Sequence, residues 1–529
     1  MKLKKLPAAF TVIAFSSFNI VSAQLFIDNA QFFIQPGATV TVQGDVTSNT
    51  DIQGAGKLIM KGTAIQNINM NGFSIPNLEI DNTSNVALTG SCQVGTSLLF
   101  TNGKILLGVN NLTLSNVAAV SGQGTGKFVE TNGAGQLIKS LTANVANLEL
   151  PLGSGTNYRP AFVNSTGTYS NANVGVRVLN VVDPNKPPMI SDYLLTHWPV
   201  TKTGVTGTVV LAGQYNDADV NGTETNLRGY FFNGTDWSST GEVHDAALNR
   251  VSAPINSASG DIFAMDKFVL TKAKAFLQGA YNSVTGVMID ALRTPTNLIP
   301  LTDPYRTAPY NTNFIHVANT TSESANASVF ADQSPSDNNI VDWVFLELRD
   351  NGTNPGNIIL QTRSALVKRD GNIVDVDGIS PVTFNNVLNG NYTIAIRHRS
   401  HLGISADPVS NLLALGETKS FSNLLDLTTA SDLQIFGSSA TYNITAGKNL
   451  LWAGNANHNA NIRYTGIQND KDVILADLAG AASLTGYYRS DINLNRTLRY
   501  TGIQNDKDFL LATVLASSTS TTRTQELPQ

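Results

Sequence analysis

Thr39-Val40-Thr41-Val42, Leu58-Ile59-Met60, Leu78-Glu79-Ile80, Leu98-Leu99-Phe100 and Leu112-Thr113-Leu114 are short apolar strands whose starts fall 14 to 20 residues apart, with Gly and Asn between them. A strand of three or four residues cannot bury its apolar face alone. An even spacing therefore predicts a stack in which each coil covers the next. Residues 24–141 are read on this basis as a β-solenoid, either a right-handed β-helix or a β-roll.

Working outward toward the C-terminus, strands lengthen and turns become richer. Val174-Gly175-Val176-Arg177-Val178 and Gly229-Tyr230-Phe231-Phe232, with Trp198 and Trp237 as core candidates, predict a β-sandwich over 142–270. A second sandwich, immunoglobulin- or fibronectin-like, is predicted over 271–430. Its signals are the long strand Ile340-Val341-Asp342-Trp343-Val344-Phe345-Leu346 and the run Leu388-x-Gly390-x-Tyr392-x-Ile394-x-Ile396, which resembles a tyrosine corner.

Toward the N-terminus, Lys2, Lys4 and Lys5 precede the apolar run Ala8 to Phe18, and Val21-Ser22-Ala23 supplies small residues for cleavage. This is the anatomy of a secretory signal peptide over residues 1–23. No later run reaches the roughly 18 apolar residues of a membrane span. The expected location is secreted or on the surface of a Gram-negative cell. Charged residues make up 14% of the chain against 42% hydrophobic, and the net charge is −5. Without basic clusters, nucleic acid and anionic lipid are poor partners. Cys92 is the single cysteine, which rules out an intrachain disulfide.

The decamer RYTGIQNDKD occurs at Arg463 to Asp472 and again, 36 residues on, at Arg499 to Asp508. Alternating oxygen-bearing residues precede each copy: Asn455, Asn457 and Asn459, then Asp491, Asn493 and Asn495. An apolar helical stretch follows each, Val473-Ile474-Leu475 and Phe509-Leu510-Leu511. Alternate side chains in a tight turn converge on one point, so a calcium ion is one reading. The other is a pair of Asn-rich turns with Asp470 and Asp506 as helix caps. Asn stands at most positions where a calcium loop has carboxylates, Ala460 and Arg496 stand where it has Gly, and the loop spans 18 positions from Asp491 to Asp508.

This arrangement resembles a dockerin, in the variant form found in surface proteins of Bacteroidetes-type bacteria. The resemblance implies a small α-helical module within 431–516, a cohesin-like partner, and calcium ligands at Asp491, Asn493, Asn495 and then Asp506 or Asp508, with Asn455, Asn457, Asn459 and then Asp470 or Asp472 in the first loop. The run Ala275 to Leu402 is similar to a module of Bacteroidetes haemagglutinins and adhesins. Residues 517–529, rich in Ser and Thr, are expected to form a flexible tail.

Catalytic patterns are sparse. The solenoid acids Asp28, Asp45, Asp51, Glu79, Asp81, Glu130 and Glu149 occupy dissimilar positions along the coils, and a glycosidase or lyase needs its carboxylates gathered. His398 and His401 lie i, i+3 on a strand entering a turn, a spacing expected to separate their rings. The reading is therefore an adhesin-like binding protein, not an enzyme, that engages glycans or proteins on a host or neighbouring cell. The alternative is a polysaccharide-degrading subunit with a β-helix lyase or glycosidase domain.

Overall fold

The computed structural model describes residues 24–187, 190–235, 237–238, 243–266, 268–350, 358–385, 391–406, 413–414, 424–429, 433–434, 441–443, 447–525 and 527. The signal-peptide segment lies outside them, as do Leu388 and Gly390 of the expected tyrosine corner. The chain is mainly β, 47% strand against 8% helix, and begins with a β-solenoid of about six turns. It falls into two compact units: residues up to Leu179 with Pro199–Thr208, and Asn180–Trp198 with Val209–Gln529. The division therefore lies inside the segment 142–270 expected as one sandwich.

In the first unit, parallel pairing climbs one coil at a time. Leu25 pairs with Val46, Val46 with Ile68, Gln66 with Val86, Val86 with Ile105, Ile105 with Val129 and Val129 with Leu152. A second column runs through Val40, Leu58, Leu78 and Leu98. Each coil uses 18 to 24 residues in these columns, longer than the strand starts alone indicate, because a coil also carries turns and a further short strand. Val46 and its partner Ile68 are fully buried, as are Val86, Ile105, Val129 and Leu152, which follow one another in the register that starts from Gln66, so within each run equivalent positions on successive coils cover one another. The turns constrain backbone as well. Gly54 has φ +93°, and a Cβ there would lie 2.1 Å from the Ile34 carbonyl oxygen of the coil below. The parallel stack ends where Leu137–Leu141 meets Ala161–Val176 antiparallel.

The second unit is antiparallel in its main pairings. Arg228–Phe232 pairs with Ser259–Met265. A larger sheet runs Val382–Asn385, Phe268–Lys274, Asn372–Val374, Ile359–Lys368, Ile340–Asp350, Asn391–His398 and His401–Ala406. Its core centres on the fully buried Trp343, Phe345, Tyr305 and Phe384. Here the indole and hydroxyl also find partners: Trp343 Nε1 donates to the Pro300 carbonyl at 2.8 Å, and Tyr305 Oη to the Trp343 carbonyl at 2.9 Å.

The C-terminal repeat packs onto this unit around its own cluster of Trp452, Ile462, Ile474, Leu478, Leu498 and Leu510. Asp470–Leu478 is an α-helix. In the second copy the helix opens at Asp506–Asp508 and continues as a π-helical turn, Phe509–Val514. The tail expected to be flexible instead supplies Thr522–Thr524, paired antiparallel with Asn461–Arg463. Arg523 lies 4.0 Å over the Trp452 ring, and Gln525 Oε1 accepts the Gly403 N–H at 3.0 Å. Polar residues hold this segment through backbone pairing, which a Ser/Thr-rich composition does not announce.

Candidate functional site

The repeat has the same local geometry twice. Gly466 and Gly502 have φ of +93° and +96°, and Gln468 and Gln504 have φ of +58° and +55°. The helix caps are Asn469 and Asn505, whose side chains accept from the N–H of Asp472 and Asp508 at 2.9 and 2.8 Å. This corrects the reading of Asp470 and Asp506 as caps. They occupy the first helical position and turn back into the loop.

There Asp470 accepts from the N–H of Ala456 at 2.9 Å and of Arg463 at 2.8 Å. Asp506 accepts from Ile492 at 3.0 Å and Arg499 at 2.9 Å. The Asn residues form a staircase of Asx turns: Asn457 Oδ1 accepts from Asn459 N, Asn459 Oδ1 from Asn461 N, Asn493 Oδ1 from Asn495 N, and Asn495 Oδ1 from Thr497 N. Asp472 and Asp508 stand apart, their side chains 65% and 62% exposed.

The loops are electrostatically costly as they stand. Burial pushes the Asp470 carboxyl up to about 7, against the pull of the backbone N–H groups. Burial also raises Asp491 and Asp506, and the charge of Asp491 raises Asp506 further. In the first loop Asn455 stands where the second has Asp491, and its Oδ1 is buried without a hydrogen-bond partner. Of the residues expected to ligate calcium, Asp491 with Asp506 and Asn455 with Asp470 are thus buried in their loops, while Asp472 and Asp508 face outward.

A network beneath the repeat joins residues that sequence spacing was expected to separate. His398 and His401 Nδ1 atoms are 2.9 Å apart. The strand turns between them, from Asn391–His398 into His401–Ala406, and residues 398 and 401 become cross-strand partners. The Gly279 N–H donates to His401 Nε2 at 3.1 Å, so His401 carries its proton on Nδ1 and donates to His398 Nδ1. His398 is then protonated on Nε2, which faces Asp342 Oδ2 at 3.1 Å. Asp342 also receives Arg399 Nε at 2.9 Å and Tyr487 Oη at 2.6 Å. Burial alone would raise the Asp342 carboxyl, but Arg399 and His398 outweigh it and hold it low. Burial lowers His398, and it lowers His401 well below the usual imidazole range.

Ser400 Oγ lies 3.3 Å from His398 Nδ1, which completes a Ser–His–Asp sequence of contacts. All three are at most 1% exposed. Nucleophilic catalysis needs a reachable hydroxyl and a free acceptor nitrogen, whereas these imidazole nitrogens are already engaged with each other, with the Gly279 N–H and with Asp342. Cys92 is equally inert, since burial pushes its thiol up to about 12.

The solenoid acids serve the stack. Asp28, Asp45, Asp51, Glu79, Asp81 and Glu130 bond Asn49, Asn67, Ser74, Lys57, Asn102 and Lys104 on neighbouring coils, and Glu149 bonds Tyr158.

One cleft of about 600 Å³ opens in the second unit, lined among others by Asn185, Phe232, Trp237, Lys272, Lys368 and Asn372. Trp237 is anchored by its Nε1 to the Asn185 carbonyl at 3.0 Å. Burial lowers the Lys368 and Lys186 ammonium groups on the cleft wall. Sequence reasoning missed this cleft because its walls come from four separate segments spread between Pro184 and Pro381. No family model, curated protein or solved structure matches this chain. Among the described residues no helix is long and apolar enough to cross a membrane.

Proposed function

We propose that this chain is a secreted or cell-surface, adhesin-like binding protein whose second-unit cleft takes a glycan carrying acidic groups. The observation that carries this reading is the composition of the cleft: apolar rings of Phe232 and Trp237, amides of Asn185 and Asn372, and three cations, Lys186, Lys272 and Lys368, against the one carboxylate of Asp377. Rings pack against sugar C–H faces, amides match hydroxyls, and partly desolvated ammonium groups favour carboxylates. The chain acts by recognition and not by turnover. The solenoid acids are tied into inter-coil contacts, and the Ser400–His398–Asp342 set is sealed from solvent.

In the same reading the repeat is a dockerin-like module that engages a cohesin-like protein and takes calcium between Asp491 and Asp506, where a cation would offset two buried like charges. Both copies hold out the same apolar residue, Ile467 and Ile503, 87% and 83% exposed, as a paired contact for that partner. The sheets of the second unit are read as sandwiches that display the cleft.

The test is a glycan array probed with wild type and the Lys272→Glu/Lys368→Glu double variant. Binding to uronate- or sialate-bearing glycans, lost in the double variant, is expected. Binding unchanged by the double variant, or no binding to any acidic glycan, refutes the cleft as the site. Calorimetry with Ca²⁺ tests the repeat separately. Saturable binding lost in Asp506→Asn is expected, and no heat from wild type refutes it.

A further inference from the structure

The second unit holds a cluster that the cleft reading does not use. Asp183, His197 and Asp261 each offer one ligand atom, and the three atoms lie within 4.8 Å of one another. They arrive from three parts of the chain. Asp183 opens the turn that continues into the cleft residues Pro184 and Asn185. His197 directly precedes strand Trp198–Gln214, and Asp261 lies on Ser259–Met265 opposite Phe232.

Two details of hydrogen bonding point to a ligand. Asp183 is 2% exposed, and its Oδ1 accepts the N–H and Nδ2 of Asn185 at 2.8 and 3.1 Å, while Oδ2 is buried with no hydrogen-bond partner. A carboxylate oxygen in that position is costly unless something positive faces it. His197 is 3% exposed, and its Nδ1 lies 2.8 Å from the Val181 carbonyl. Only a protonated nitrogen can bond a carbonyl, so Nδ1 carries the hydrogen, and in the neutral ring the lone pair is on Nε2. A backbone carbonyl orients metal-binding imidazoles in the same manner.

We propose that Asp183, His197 and Asp261 form a binding site for a divalent transition-metal ion, with Zn²⁺ the best match. The imidazole disfavours Ca²⁺ and Mg²⁺, which prefer all-oxygen shells, and the absence of thiolate disfavours Cu(I). Zinc bonds of about 2.0–2.2 Å place ligand atoms roughly 3.4 Å apart in a tetrahedral shell. The trio therefore needs to draw in by at most about 1.4 Å, which side-chain rotation supplies. A water completes the shell. The ion would tie the turn bearing Pro184 to Pro187 onto the strand bearing Asp261, and so fix one wall of the cleft. The site stands whether or not the cleft takes a glycan.

The experiment titrates ZnCl₂ into tag-free, chelator-stripped full-length protein by calorimetry and follows melting temperature in parallel, with CaCl₂ as comparison. Wild type is expected to bind one zinc whose affinity falls at least tenfold in Asp183→Asn and in His197→Gln, with no comparable loss for CaCl₂. Asp183→Asn is near-isosteric and retains the Asn185 contacts, so it decides the matter if His197→Gln fails to fold. No saturable zinc binding by wild type, or the same affinity in Asp183→Asn, overturns the proposal.

Discussion

Replacing Asp470 with Asn tests how the first C-terminal loop is held. In the wild type both carboxylate oxygens accept backbone N–H groups, from Ala456 and Arg463. Asn keeps one acceptor and turns an amide toward the other N–H, which costs about 1–3 kcal/mol for a buried unsatisfied group. The pH dependence carries more information. Burial pushes the Asp470 carboxyl up to about 7 in the folded chain, against 3.8 for an ordinary exposed aspartate. Because the folded value lies above the unfolded one, folding takes up a proton. The contribution of Asp470 to stability then falls as pH rises from about 4 to about 7 and is level beyond, by on the order of 4 kcal/mol. Asp470→Asn has no such dependence, so the wild-type advantage over the variant is expected to shrink from pH 5 to pH 8 in chelator. Urea unfolding followed by tryptophan fluorescence reads it, since Trp452 lies in the cluster around the loop. Asp472→Asn, a mostly exposed neighbour, serves as control at about 0.5 kcal/mol or less. An advantage that grows with pH in chelator would refute the reasoning, because the carboxylate would then be held as an anion.

Ile68→Ala in the solenoid is expected to cost about 2–4 kcal/mol, whereas Phe26→Ala, at a side chain 65% exposed, stays within about 0.5 kcal/mol. Thermal or urea melts of the two separate these values, and equal effects would contradict the stacked column. Asp342→Ala leaves Arg399 buried without its carboxylate and is expected to lower stability by about 3–5 kcal/mol. A change under about 1 kcal/mol in urea unfolding would show the network to be dispensable. Cys92 should resist a thiol reagent in native buffer and react fully in denaturant. Rapid native labelling would place it outside the solenoid core.

The solenoid was legible because its signal is local and repeated. Leu58, Leu78 and Leu98 advertise the coil in the sequence and occupy one column in the fold. The decamer repeat was legible for the same reason, down to the matching φ values at Gln468 and Gln504. What escaped the sequence depends on pairings between distant segments. The nearness of His398 and His401 follows from a strand reversing between them, which i, i+3 counting along a straight strand does not foresee. Asp183, His197 and Asp261 share no motif, since their spacing is set by a loop and two strands of the second unit. The order of Thr522–Thr524 comes from the backbone of Asn461–Arg463, and composition is blind to it.

The coil-to-coil pairing of Val46 with Ile68, and of Val86 with Ile105, Val129 and Leu152, has a consequence for how such a chain can change over generations. Gain or loss of one entire coil preserves every neighbour relation and merely shortens or lengthens the rod. A single inserted residue within a strand swaps inside for outside along that strand. Length in this region is therefore expected to vary among descendants in steps of one coil, about twenty residues, rather than residue by residue.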